Sequence, residues 1–331
     1  MSQNNEQVAK PFEFVPFPTK SSRQATKGHD IYHAQDFSGK FSYRLVALTP
    51  IHIASGTYAL SPEEVALGYE GIVRDCYRVG DRPAIPGSSL KGMVRAIVEA
   101  VSASCVMVTK VETDQLPGGE KLTRGCQPDR ACPACSMFGR LNRLGKVSFS
   151  DALLEPGQRT EPYHLPSLHR PHPDSPVYLD ETKHYKGRKF YYHGQPGQSL
   201  GQPIVEVIPK KGELKGDFEF INLTVNELGL LFFALGLDNT FRPKLGGGKS
   251  VCLGSIRIIP LELVFRDKED WIDYEGNKGE RYKEEKSLQG LIRIFIKQAT
   301  SAKGYLIRDQ VRALRKILRY PNDRDCPQGN Y

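Results

Sequence analysis

Three cysteines stand close together as Cys126-x5-Cys132-x2-Cys135, and no other local pattern restricts the folding of this chain as strongly. Two thiolates two residues apart can grip one tetrahedral metal ion, and Cys126 supplies a third ligand. The fourth is Cys105, which opens the same segment, or a histidine, His164 or His169. The segment 105–136 is rich in Pro, Gly and charge and has little else to hold it together. A set closed by protein ligands points to a structural zinc ion, not a catalytic one. The chain has seven cysteines, with Cys76, Cys252 and Cys326 outside this segment. An odd count, behind a start (MSQNNEQVAKPF) that lacks the apolar stretch of a secretion signal, argues against a disulfide framework and for a cytoplasmic protein.

Hydrophobic periodicity orders the rest. Residues 1–36 are polar and aperiodic, as expected of a tail. Residues 41–49 alternate as a strand does, and a long loop is expected from about Pro50 to Pro86. In residues 86–103, Leu90, Val94, Ile97, Val98 and Val101 recur at helical spacing, with Ser88 or Ser89 as the cap. Residues 146–154 read as a strand. The stretch 155–212, full of Pro, Gly, His and basic residues, reads as an irregular insertion. A strand at 217–223, a helix capped by Thr224 and a strand at 252–264 follow. Residues 265–331 form a helical extension, with helices near 286–299 and 304–319. Arg308, Arg312, Arg315 and Arg319 share one stripe of the second, which fits a solvated face as well as a partner contact. Strand, helix, strand, then strand, helix, strand predicts an α+β fold, a ferredoxin-like antiparallel sheet with helices on one face. An apolar fraction of 39% provides ample core, and no apolar run has the length of a membrane span.

Two segments carry anion chemistry. In LGGGKS (residues 245–250), Gly246, Gly247 and Gly248 let backbone N–H groups approach a phosphate, and Arg242, Lys244 and Lys249 add positive charge. A nucleotide phosphate loop is excluded, because its first glycine would fall at Pro243 and the loop leads from helix to strand. In IPGSSLKG (residues 85–92), Ser88, Ser89 and Lys91 sit at a helix N-terminus with Arg95 one turn on, where dipole and N–H groups favour an anion. Residues 183–193 interleave aromatic and basic side chains, a pattern that suits base stacking or a strand edge equally. The net charge of +8 fits an anionic partner without naming one.

The segments TPIHIASG (49–56), IPGSSLKGMVR (85–95), CPACSMFG (132–139), KGRKFYYH (186–193) and LGGGKSVCLGS (245–255) occur in one order. That order resembles the RAMP superfamily of CRISPR proteins, most closely the type III backbone subunits (the Cas-seven family), from about residue 41 to residue 264. The resemblance implies a subunit that stacks with its neighbours along a guide RNA, grips the guide backbone and inserts a thumb-like loop into the guide–target duplex. The 155–212 insertion is similar to that of subtype III-D subunits. Many relatives cut the target RNA with a thumb-loop aspartate and a divalent ion such as Mg²⁺. Here the matching stretch is Gly68-Tyr69-Glu70-Gly71-Ile72-Val73-Arg74-Asp75, so Glu70 and then Asp75 are the candidates. Asp75 is equally placed to pair with Arg74, Arg78 or Arg82. A non-cutting scaffold is the alternative. A metal-independent guide-processing nuclease would need a histidine near the first helix or the glycine-rich loop, where His52 is the candidate.

Overall fold

The computed structural model describes residues 11–27, 31–67, 71–106, 112–123, 125–127, 129–166, 176–197, 203–267, 279–301 and 304–326. The first half holds β1 (Phe12–Val15), β2 (Gln24–Ala25), β3 (Phe37–Ala47), β4 (Ala54–Leu60), α1 (Pro62–Ala66), β5 (Ile72–Cys76), β6 (Arg78–Val79), β7 (Arg82–Ile85) and α2 (Gly87–Val101). Next come α3 (Glu120–Thr123), β8 (Arg130–Ala131), α4 (Pro133–Phe138), β9 (Val147–Phe149), β10 (Ala152–Leu154), β11 (Glu161–His164), β12 (Arg188–Tyr191) and β13 (Ile204–Val207). The chain continues through β14 (Glu213–Leu223), α5 (Val225–Ala234), β15 (Ile256–Phe265), β16 (Glu280–Tyr282), α6 (Glu285–Ala299) and α7 (Arg308–Ile317).

Alternation along β3 decides the architecture. Phe41, Tyr43 and Leu45 are buried on one face. Lys40 and Arg44 on the other face pair with Asp217 at 3.3 Å and Glu213 at 3.1 Å across the ladder. β3 therefore lies between β14 and β15, antiparallel to both, in a sheet ordered β16–β15–β3–β14–β10–β7–β6, with β9 also on β14. Its four inner strands β15–β3–β14–β10, renumbered along the chain, stand in the order 4-1-3-2, with α2 after the first and α5 after the third. The apolar face meets the helices through Phe41 and Phe232, whose ring centroids lie 5.4 Å apart. Helix α5 starts with a capping box, Thr224 and Glu227 bonding reciprocally to each other's backbone N–H groups. At Gly229 it packs so closely on α6 that an added Cβ would meet the Phe295 carbonyl oxygen at 2.0 Å.

Several local expectations give way to tertiary structure. The 50–86 stretch carries β4, α1 and β5–β7, and the 155–212 stretch carries β11, β12 and β13. β11, β13, β5 and β4 form a second sheet in that order, with β4 exposed at its edge. Within the stretch expected as a polar tail, β1 pairs with β12 and buries Phe12 and Val15. The single strand expected at 146–154 is two strands broken at Ser150 and Asp151. That break frees Asp151 to cap α2. Gly87 N–H donates to its Oδ1 at 2.8 Å and Tyr77 O–H to its Oδ2 at 2.9 Å, and no serine side chain caps the helix. Cys252 and Cys326 are paired as a disulfide, a correction to the argument from cysteine count. Both lie in one small buried cluster with Tyr163, Leu165, Val205 and Val251, which the spacing of the sequence does not reveal.

Candidate RNA groove and cysteine cluster

The Cys105, Cys126, Cys132 and Cys135 side chains converge from the end of α2, the following loop and the start of α4, and all four are buried. The Cys105 sulfur lies 3.7 Å from that of Cys135, 3.8 Å from that of Cys126 and 3.6 Å from that of Cys132. Four sulfurs each about 2.3 Å from a central ion form a tetrahedron with edges of about 3.8 Å, so the spacing fits a metal ion. The surrounding backbone is fixed as well. Cys132 N–H donates to the Cys126 sulfur at 3.2 Å, and Ala134 N–H to Ser104 Oγ at 3.2 Å. His164 lies elsewhere, 3.0 Å from Glu64, and His169 falls outside the described residues. Among the described residues, Cys105 is the fourth member of the cluster.

The glycine-rich loop closes through Leu245 N–H on the Gly254 carbonyl at 2.8 Å and packs on the segment around His52. Gly247 N–H donates to the His52 carbonyl at 2.8 Å. Gly246, at φ +83°, leaves no room for a Cβ, which would stand 2.4 Å from that oxygen. Loop, α2 and β12 enclose a cavity of about 550 Å³ lined by His52, Ser89, Gly92, Lys189, Tyr191, Lys244, Gly246, Gly247 and Lys249. Lys244 Nζ donates to the Tyr192 carbonyl at 2.9 Å, and burial, helped by Lys249, pushes its ammonium down to about 7. Lys249 Nζ donates to the Gly246 carbonyl at 2.6 Å and is also lowered by burial. Lys189 reaches the cavity from β12, its Nζ 4.4 Å from the centroid of Phe12 and 4.9 Å from that of Tyr191. His193 is held neutral, burial pushing it down to about 3, between Ser255 Oγ at 2.7 Å and the Arg242 carbonyl at 2.9 Å.

The expected anion-binding residues thus divide. Ser89, Lys244, Gly246, Gly247 and Lys249 share the cavity, with Gly248 at φ +66° shaping the loop behind them. Ser88 is exposed on α2. Lys91 is half-buried there and lowered by burial and by Arg95. Arg95 instead reaches Glu99 at 2.8 Å and the Gly139 carbonyl at 3.0 Å. Arg242 bonds the Phe241 carbonyl at 3.1 Å. Gly92 of α2 carries no local signal for the groove, because its contribution is open space on an exposed helical turn.

Glu70 lies outside the described residues, whereas Asp75 lies near the end of β5 beside Glu206 of β13. The two carboxyls share a hydrogen bond that raises Asp75. Burial opposes the Glu206 charge, but bonds from Asp75, Thr160 and Cys76 outweigh it and hold Glu206 down. Arg78 pairs with both acids, with its Nε 3.7 Å from Asp75 Oδ1. Burial and Glu206 push the Cys76 thiol up to about 12. Asp75, Cys76 and Glu206 present donor atoms within 4.8 Å of one another. The set offers two carboxyls that share a hydrogen bond, Asp75 raised and Glu206 lowered, and a soft neutral thiol, all beside a guanidinium. That set does not fit a hard divalent ion, which takes several anionic or carbonyl oxygens. Glu206 was not foreseen, since nothing local links it to Asp75.

A family model, that of the RAMP superfamily, matches residues 44–257, a span that holds the cysteine cluster and the groove. No curated protein matches the sequence. No helix among the described residues is long and apolar enough to cross a membrane.

Proposed function

We propose, from the premise that this chain belongs to the RAMP superfamily, that it is an RNA-binding backbone subunit of a cytoplasmic type III CRISPR ribonucleoprotein. It holds the guide RNA and the guide–target duplex beside neighbouring subunits. The observation that carries this is the groove lined by Lys189, Lys244 and Lys249 together with an open turn of α2 at Gly92 and a glycine-rich loop. Lysine side chains beside a glycine-rich loop suit phosphates and have no means of telling one base from another. The 4-1-3-2 strand order supports a ferredoxin-like core. The sulfur tetrahedron supports structural zinc, and the 155–212 insertion supports subtype III-D.

Single-stranded RNA of unrelated sequences should bind with affinity that falls with salt, at a log–log slope of about −0.7 per phosphate contacted. Lys249→Ala should weaken all sequences alike and flatten the slope by about 0.7. A loss confined to some sequences would defeat backbone recognition. Cutting at Glu70 or Asp75 is the second reading and rests on the resemblance of the 68–75 stretch alone, because the Asp75 group does not fit a hard divalent ion. In the assembled complex with Mg²⁺ and guide-matched RNA, loss of a cleavage product in Glu70→Gln or Asp75→Asn would make this a cutting subunit. Retention of every product in both variants would make it a scaffold.

Lys244 adds a pH dependence. Its folded-state pKa of about 7 lies below the ordinary 10.5, so the folded chain binds fewer protons than the unfolded one between those values. Its contribution to stability therefore grows as pH rises through that window. RNA binding runs the other way, because a phosphate favours the ammonium form. Affinity should fall as pH rises from about 6 to about 8, most steeply around the lysine's lowered pKa, and Lys244→Met should level that part of the profile. A profile unchanged by the substitution would remove Lys244 from the phosphate site.

A further inference from the structure

The Cys252–Cys326 pair lies apart from the four-cysteine cluster and joins the glycine-rich loop to the segment that follows α7. Cys252 ends the 3₁₀ turn Lys249–Val251 of the glycine-rich loop in a left-handed conformation, φ 68°, which non-glycine residues seldom adopt. Its carbonyl accepts from Thr49 Oγ1 at 3.1 Å. Cys326 lies in the segment that follows α7. There Gln195 N–H donates to the Arg324 carbonyl at 3.1 Å, and the Arg324 guanidinium lies 4.6 Å from the centroid of Tyr192. The Tyr192 carbonyl is the one that holds Lys244 Nζ. One covalent link thus ties the loop bearing Lys249 to the segment that backs the partner of Lys244.

We propose that Cys252 and Cys326 are a reversible redox site, oxidised and reduced by glutathione-class thiols and disulfides, that sets the rigidity of the glycine-rich loop. The effect on RNA rests on the reading of this loop as a phosphate grip. Closing begins when the thiolate of Cys326, the more exposed residue at 7% against 1% for Cys252, attacks glutathione disulfide and expels one glutathione thiolate. The Cys252 thiolate then attacks the Cys326 sulfur of the mixed disulfide and expels the second. Two protein thiols lose two protons and two electrons, and one glutathione disulfide becomes two glutathione thiols. Reduction reverses both steps. The reduced Cys326 thiol can donate to the Ser250 carbonyl, 3.5 Å away, which keeps the partners in register for reclosing.

The test uses the full chain equilibrated with glutathione disulfide or with dithiothreitol. After denaturation in chelator and alkylation, five of the seven cysteines should be modified in the oxidised sample and all seven in the reduced one. Peptide mapping should place the link between Cys252 and Cys326. Amide exchange across 245–252 and 319–326 should be at least about tenfold faster in the reduced chain, as expected when a local cross-link opens. Oxidised Cys326→Ser should exchange like the reduced wild type. RNA affinity should fall several-fold on reduction, with Cys326→Ser insensitive to redox state. Seven modified cysteines in the oxidised sample, or equal exchange in both states, overturns the proposal without recourse to any variant. If the link forms and exchange responds but neither form binds RNA, the redox site stands and the RNA reading of the groove fails.

Discussion

A chain carrying Cys132→Ser and Cys135→Ser is expected to lose about 4 kcal/mol or more of stability, and to melt about 6 °C or more below the parent. The segment between α2 and β9 has little core of its own. Val106, Leu116 and Leu122 make one small buried cluster, and α3, β8 and α4 are short. Structural zinc sites in isolated peptides contribute apparent binding free energies of about 10–16 kcal/mol, which leaves room for a loss of this size after other contacts compensate. The purified parent should carry about one zinc ion per chain, a stoichiometry set by four thiolates around one tetrahedral ion. A strong chelator should lower the melting temperature of the parent and leave that of the double variant in place. Equal melting of parent and variant, with no metal in the parent, would end the zinc proposal.

Lys146→Met is expected to destabilise the fold by about 3–5 kcal/mol, because it strands a buried carboxylate. Lys146 Nζ lies 2.8 Å from Glu227 Oε2, and both side chains are 3% exposed. Glu227 also accepts Ser136 Oγ–H at 2.6 Å and the Thr224 N–H at 3.0 Å. One carboxylate therefore joins the cysteine-bearing α4, the approach to β9 and the first turn of α5. Adding Glu227→Gln to Lys146→Met should recover part of the loss, since glutamine keeps the capping geometry without the charge. Denaturant unfolding of the two single variants and the double gives the coupling directly. A cost below about 1 kcal/mol for Lys146→Met would show that the pair is solvated and does not hold these elements together.

What was legible in the sequence was local. Alternation in FSYRLVA and DFEFINL and the helical repeat from Leu90 to Val101 placed the two strand–helix–strand halves, because each pattern records which face meets the core. The cysteine cluster was legible because three of its members lie in one short segment. The illegible parts are pairings between distant segments. β13 lies parallel to β5, so Glu206 meets Asp75, and no periodicity in either strand encodes its partner. Asp151 caps α2 from 64 residues away, while the adjacent serines looked sufficient. β1 was hidden because a four-residue strand with two half-buried positions has too little alternation to stand out from a polar stretch.

The position of β3 has a consequence for the birth of the chain. Both of its neighbours, β14 and β15, lie far downstream, so Phe41, Tyr43 and Leu45 leave the ribosome long before any partner strand exists. At about 5–20 residues per second, translation from Ala47 to Glu213 takes roughly 10–30 s. Over that interval an apolar strand has both edges open, whereas the four cysteines can already close their short loop around an ion. Synthesis therefore favours a sequence in which the cysteine-bearing segment consolidates first and the sheet is completed last from its centre outward. A chaperone that shields the nascent N-terminal strand would raise the yield of folded protein more than one acting after release.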